Sequence, residues 1–261
     1  MVSMSNPRAV SMLNKVPEVT LIFWIIKIMS TTVGETGADY LAVHVGLGTT
    51  VTTAITMSLL VVALIVQLRM RAYVPWIYWL TVVLVSIVGT QITDILTDGL
   101  GVSLYLSTAV FAVLLAATFA IWYARERTLS IHTIITTRRE LFYWTAILFT
   151  FALGTAAGDL ATEALSLGFT IGVFVFGALI TAIAGAFYLG ANPVLTFWLA
   201  YILTRPLGAS FGDLLSQSQR YGGLGLGTVI TSIVFLVVIV CLVTYLTIGS
   251  KGSRNPSVER A

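Results

Sequence analysis

The segment FWIIKIMSTTVGETGAD, residues 23–39, starts as an apolar helix of membrane-spanning character and ends on two carboxylates, Glu35 and Asp39. Its pattern returns three times, as YWLTVVLVSIVGTQITD (78–94), YWTAILFTFALGTAAGD (143–159) and FWLAYILTRPLGASFGD (197–213). In every copy a tryptophan (Trp24, Trp79, Trp144, Trp198) follows an aromatic residue (Phe23, Tyr78, Tyr143, Phe197). A glycine stands ten positions later (Gly34, Gly89, Gly154, Gly208) and an aspartate fifteen positions later (Asp39, Asp94, Asp159, Asp213). Four of the six tryptophans fall in this register, so the chain is built from one repeated unit. Such a repeat governs the fold before any single element does.

After each aspartate a glycine-bearing turn leads into a second apolar run, at about 48–68, 102–124, 168–189 and 225–248. Each repeat is thus a helical hairpin. The chain has 261 residues, 57% hydrophobic and 10% charged, with mean hydropathy +0.97. Soluble domains carry about 25% charged residues, and nearly uncharged windows of about 18 residues are long enough to span a bilayer. The expected fold is all-α: a polytopic membrane protein with eight transmembrane helices, arranged as four parallel-oriented helical-hairpin repeats. The segments are an N-terminal stretch 1–16, repeat 1 at 17–71, repeat 2 at 72–124, a connector 125–140, repeat 3 at 141–190, repeat 4 at 191–249 and a tail 250–261. Cys241, the single cysteine, lies in an apolar run and argues against disulfides and cysteine metal sites. Residues 1–16 lack the short apolar core and cleavage site of a signal peptide.

Loop charge sets the expected orientation. Arg8, Lys15, Arg69, Arg71, Arg125, Arg127, Arg138, Arg139, Lys251, Arg254 and Arg260 fall on one side if every hairpin goes out and back, and only Arg220 falls on the other. Both termini are then cytoplasmic, and the repeats are related by an axis along the membrane normal. The basic balance, pI near 9.1, reports these loops and not nucleic-acid binding.

Along each first helix, positions 11, 15 and 19 after the tryptophan lie on one stripe, within an arc of about 80°. Glu35, Asp39, Asp94, Asp98, Asp159, Glu163 and Asp213 occupy these stripes, seven of the eleven acidic residues. At 1.5 Å rise per residue the glycines lie about 15 Å and the aspartates about 22 Å along the helix, inside a hydrocarbon core about 30 Å thick. Charges at that depth face a bundle interior or water. Four stripes turned to one axis therefore place Glu35, Asp39, Asp94, Asp159 and Asp213 as a metal site. Asp98, Glu163 and His44 would line a proton or exit pathway, and Thr31, Thr32, Thr90, Thr155 and Thr204 a polar wall. Carboxylate, hydroxyl and carbonyl oxygens suit hard divalent cations and compete for protons. No HExxH motif, cysteine pair or histidine cluster is present, so neither a zinc site nor an enzyme is expected.

Two cations enter the same helices. Lys27, three residues past Trp24, can snorkel to the cytoplasmic surface and is, with Arg205, a candidate for an ion pair or gate. Arg205, seven past Trp198, lies about 10 Å deep and is expected to pair with Glu35, Asp94 or Asp159, as a structural ion pair or as a gate. The repeated tryptophans read as interfacial anchors. Pro206 and the glycines point to irregular backbone in the first and fourth repeats.

KVPEVTLIFWIIKIMSTTVGETGAD near the start and FWLAYILTRPLGASFGDLLSQ near the end resemble the bacterial membrane proteins built from a repeat of unknown function, often labelled uncharacterised membrane-anchored proteins. The resemblance spans roughly 17–250 and implies a multi-pass protein of the bacterial inner membrane, without an activity. The acids supply the functional expectation: transport of an inorganic cation, a divalent metal resembling manganese, exported in exchange for protons. The metal would be substrate, with no resident cofactor; lipid, cation and protons would be the partners, with a homodimer as a further option. A transporter or binder of small organic solutes and a passive cation channel stand as alternatives.

Overall fold

The computed structural model describes residues 14–43, 49–165 and 167–252, with the side chains of 39, 42, 43, 163, 164 and 250–252 outside that description. His44 therefore lies outside the described residues, as do the side chains of Asp39 and Glu163. Eight long helices follow one another: α1 (Leu21–Val43), α2 (Thr49–Arg69), α3 (Pro75–Asp94), α4 (Leu104–Glu126), α5 (Thr137–Asp159), α6 (Gly168–Tyr188), α7 (Pro193–Ser216) and α8 (Thr228–Gly252). Seven of them, all but α1, are long and apolar enough to cross a membrane. Helix α1 has 23 residues as well, and Lys27, Glu35 and Asp39 lower its hydropathy. In lipid only such internally bonded segments satisfy their backbone.

Local chemistry sets the helix starts. Pro75 and Pro193 occupy first turns, where the missing N–H costs nothing. Ser103, Thr136 and Asn192 accept hydrogen bonds from the first free backbone N–H groups of α4, α5 and α7. The turns that end the first helices of repeats 2 and 3 carry Gly101 and Gly168 at positive φ, +67° and +71°, a conformation that side chains disfavour.

The first helices of the repeats, α1, α3, α5 and α7, close into an inner ring, each packing on the next and α7 returning to α1. Glycine makes this closure possible. Gly34 lies against Ser86, Gly89 against Phe151, Gly154 against Arg205 and Gly208 against Thr31. In each case the tenth position after a tryptophan meets the seventh position in the next repeat, and an added Cβ would overlap that neighbour. Threonine hydroxyls then bond across the seams: Thr31 donates to the Thr204 carbonyl at 3.2 Å, Thr32 to the Gly208 carbonyl at 3.1 Å and Thr93 to the Ala152 carbonyl at 3.2 Å.

The second helices form the outer layer, and the arms of each hairpin splay. α2 packs chiefly on α3, α4 on α5, α6 on α7 and α8 on α1, so each outer helix covers the inner helix of the following repeat. Within the spanning windows of α3, α5 and α7, 50–61% of residues are buried, against 6–33% for the four outer helices.

Three of the four repeated tryptophans lie in the core and are not interfacial anchors, and Trp24 packs half-buried against that core. Trp79, Trp144 and Trp198 are at most 4% exposed and, with Phe23, Tyr78, Tyr143 and Tyr201, form an aromatic core at one end of the ring. Tyr78 and Tyr143 share a hydroxyl–hydroxyl hydrogen bond of 2.5 Å, and Trp198 donates to the Leu129 carbonyl at 2.9 Å. The irregular backbone also lies elsewhere than expected. Helix α7 runs unbroken through Pro206, whereas π-turns follow the aspartates of repeats 2 and 3, at Ile95–Gly99 and Leu160–Ala164.

Close approach at the glycines has a measurable consequence. Gly34→Ala is expected to lower the apparent unfolding temperature in detergent, costing about 1–3 kcal/mol through overpacking, and Ser86→Gly on the same chain should restore part of it. Gly177→Ala, where an added Cβ meets nothing within 4 Å, should be neutral or stabilising by up to about 1 kcal/mol.

Candidate functional site

The axial stripe of each inner helix is made of positions spaced by four. The seventh positions are Thr31, Ser86, Phe151 and Arg205, and the eleventh are Glu35, Thr90, Thr155 and Ala209. Arg205 joins these two layers. It is fully buried, and its Nη2 donates to the Glu35 carboxylate at 2.5 Å, to the Thr155 hydroxyl at 2.8 Å and to the Thr90 hydroxyl. Nη1 donates to the Thr31 carbonyl at 3.3 Å. All four repeats thus meet at one guanidinium, three of them through the same repeat position.

The threonines are oriented for this by their own helices. Thr90 donates its hydroxyl proton to the Ser86 carbonyl at 3.2 Å and Thr155 to the Phe151 carbonyl at 3.1 Å. That back-bonding leaves the oxygen lone pairs facing Arg205. Thr31 and Thr32 spend their hydroxyls on the α7 seam, and Thr204 donates to the Tyr201 carbonyl at 2.6 Å. Of the five threonines expected to line the site, only Thr90 and Thr155 present hydroxyls to it; Thr31 presents its carbonyl.

Lys27 does not snorkel. It is 1% exposed, and its ammonium lies over the rings of Phe151 and Tyr201, 4.0 Å and 4.2 Å from their centroids. Depth along α1 alone allowed escape to the surface, but ring closure places α7 and α5 over the side chain. Desolvated cation–π contacts of this kind contribute about 2 kcal/mol or more. The ring core therefore holds Lys27, Arg205 and Glu35 in successive layers.

Asp94, Asp159 and Asp213 lie half-buried one turn beyond the Glu35–Thr90–Thr155 layer. Asp94 and Asp159 immediately precede the π-turns, and such turns are frequent at functional sites. Asp98 falls within one of them and is exposed, because the i→i+5 bond from Leu100 N–H to the Ile95 carbonyl takes the backbone off the 100° stripe. Among the described residues no three His, Cys, Asp or Glu side chains stand close enough together to hold a metal ion. The expected cluster of five carboxylates is therefore not assembled among them, and the centre is built from one carboxylate, hydroxyls and an arginine.

A second buried ion pair, Lys15–Glu140, lies off the acidic stripes. Glu140 is fully buried; it accepts from Lys15 Nζ at 2.5 Å and from Gln67 Nε2 at 3.0 Å. Lys15 also donates through Nζ to the Leu68 carbonyl and through its backbone N–H to the Ile134 carbonyl. This latch ties the N-terminal segment, the end of α2 and the connector together at the aromatic end of the ring. Its partners are 125 and 73 residues apart, and no local pattern signals them.

Losing one partner of the central pair strands a buried charge. Glu35→Leu is expected to cost about 3–5 kcal/mol, while the Glu35→Leu/Arg205→Leu double variant recovers most of that loss. Thermal unfolding of the four proteins of this cycle in detergent measures the coupling.

No curated protein and no solved structure gives a significant match to the chain. A family model does match, over residues 22–73, 77–128, 142–190 and 196–251, which are the four repeats. The chain belongs to the family described as Repeat of Unknown Function (DUF347).

Proposed function

We propose that the protein transports a small cation across the bilayer along the axis of its inner ring, in exchange for protons, with Arg205 as a tethered cation that holds the site when no substrate is bound. The observation that carries this reading is the bonding of Arg205 to Glu35, Thr90 and Thr155 on that axis. A carboxylate with two hydroxyls and a carbonyl is a site for positive charge, and here a cation of the protein's own occupies it. An arriving cation competes with the guanidinium for Glu35, and a proton competes with both. The aspartates one layer further on, half-buried, attract cations towards the centre. The aromatic core and the Lys15–Glu140 latch close the opposite end, which the basic loops assign to the cytoplasm, in a bacterial inner membrane with both termini inside.

The first substrate to test is a hard divalent ion such as Mn²⁺, which the oxygen donors suit. A second reading, an organic cation, draws on one observation: the core already holds a guanidinium by oxygen donors and an ammonium by aromatic faces.

Flux into proteoliposomes separates these. With an imposed proton gradient, Glu35→Gln is expected to reduce Mn²⁺ flux at least about tenfold, equivalent to about 1.4 kcal/mol, with smaller losses for Asp94→Asn and Asp159→Asn. Guanidinium flux that exceeds Mn²⁺ flux selects the second reading. Unchanged flux of both ions in all three variants, and unchanged manganese sensitivity of cells expressing them, rejects transport at this site.

A further inference from the structure

We propose that the groove between α4 and α7 is a binding site for an anionic phospholipid, with an acyl chain along its apolar walls and the phosphate on Arg127. The groove holds about 680 Å³, within the range of ligand sites. It exists because α4 packs on α5, leaving its flank towards α7 unfilled. Ala116 and Phe119 of α4, Leu153 of α5 and Leu195, Leu199 and Ile202 of α7 line it. At the connector end the lining turns polar, with Arg127, Thr128 and Asn192. A cleft apolar along its length and cationic at one end fits an amphiphile with a negative head, and basic pockets between spanning helices recognise such lipids.

Arg127 itself points the same way. It is exposed, and among the described residues its guanidinium makes no hydrogen bond or ion pair, whereas Arg138 and Arg139 are both committed to Glu126. Its backbone has φ 55°, the only non-glycine residue with positive φ among those described. That conformation is costly for a side-chain-bearing residue and persists where the surroundings impose it. Glycine would close α4 at lower cost, yet the position carries a cation at the mouth of the groove. Tyr123, exposed on the same rim, is a residue type suited to the headgroup level.

The test uses the full chain purified in mild detergent, with native mass spectrometry for retained lipid and thermal unfolding in added phosphatidylglycerol or phosphatidylcholine. Wild type is expected to prefer phosphatidylglycerol by about fivefold, the worth of one basic residue facing a net negative headgroup, because the choline of phosphatidylcholine offsets the charge of its phosphate. Arg127→Gly suits the backbone, remains folded and loses the preference. Ala116→Phe, from an exposed wall position, fills the groove and lowers retention of both lipids. Equal binding of the two lipids by wild type, a preference that survives Arg127→Gly, or full retention in Ala116→Phe overturns the proposal. None of these readouts depends on transport.

Discussion

A guanidinium at the centre of a spanning bundle constrains everything around it. Arg205 cannot be left in hydrocarbon, and Glu35 alone does not satisfy its donors. Three further helix positions must reach it, the hydroxyls of Thr90 and Thr155 and the carbonyl of Thr31. They reach it only if four helices approach closely, which the glycine at the tenth position of each repeat permits. Gly154 lies directly against the stem of Arg205, so the feature that closes the ring also seats the charge. Buried pairs of this kind are weak sources of net stability; their presence here is better understood as a feature that fixes how the four repeats meet.

The ring combines a symmetric scaffold with asymmetric chemistry. Tryptophan, glycine and aspartate recur in every copy, and the glycine contacts run from each repeat to the next around the whole circle. The layers between them differ. The charged residues Lys27, Glu35 and Arg205 all come from repeats 1 and 4, which meet where the circle closes, while repeats 2 and 3 contribute hydroxyls, an aromatic ring and the two π-turns. One seam holds the ionic contacts, and the opposite half holds the irregular backbone.

The repeat, the eight helices and the burial of Arg205 were legible because each is a matter of period and length along one chain. Glu35 stood among three possible partners for Arg205, and only the packing singled it out. What was not legible is lateral. A tryptophan at the start of a helix has the same pattern whether it meets headgroups or a neighbouring helix, so Trp79, Trp144 and Trp198 read as a belt and are a core. Lys27 had the reach to snorkel, but sequence depth does not reveal a ring closing over it. Pro206 carries the strongest breaker signal in any repeat and is absorbed within α7, whereas ILTDG (95–99) and LATEA (160–164) form π-turns without a proline. Asp98, expected on the same stripe as Asp94, is exposed because a π-turn intervenes between them.

The lean of each outer helix onto the following repeat has a consequence for assembly. Helices α2, α4 and α6 each find their seat on the next inner helix to be made, but α1 waits for the two made last: α7 to occupy Glu35 and α8 to cover its outer flank. A chain emerging N-terminus first therefore holds α1 against α3 alone among the inner helices until synthesis is almost over. The circle shuts late, and the helix that carries Lys27 and Glu35 enters its final environment only when the last helix arrives.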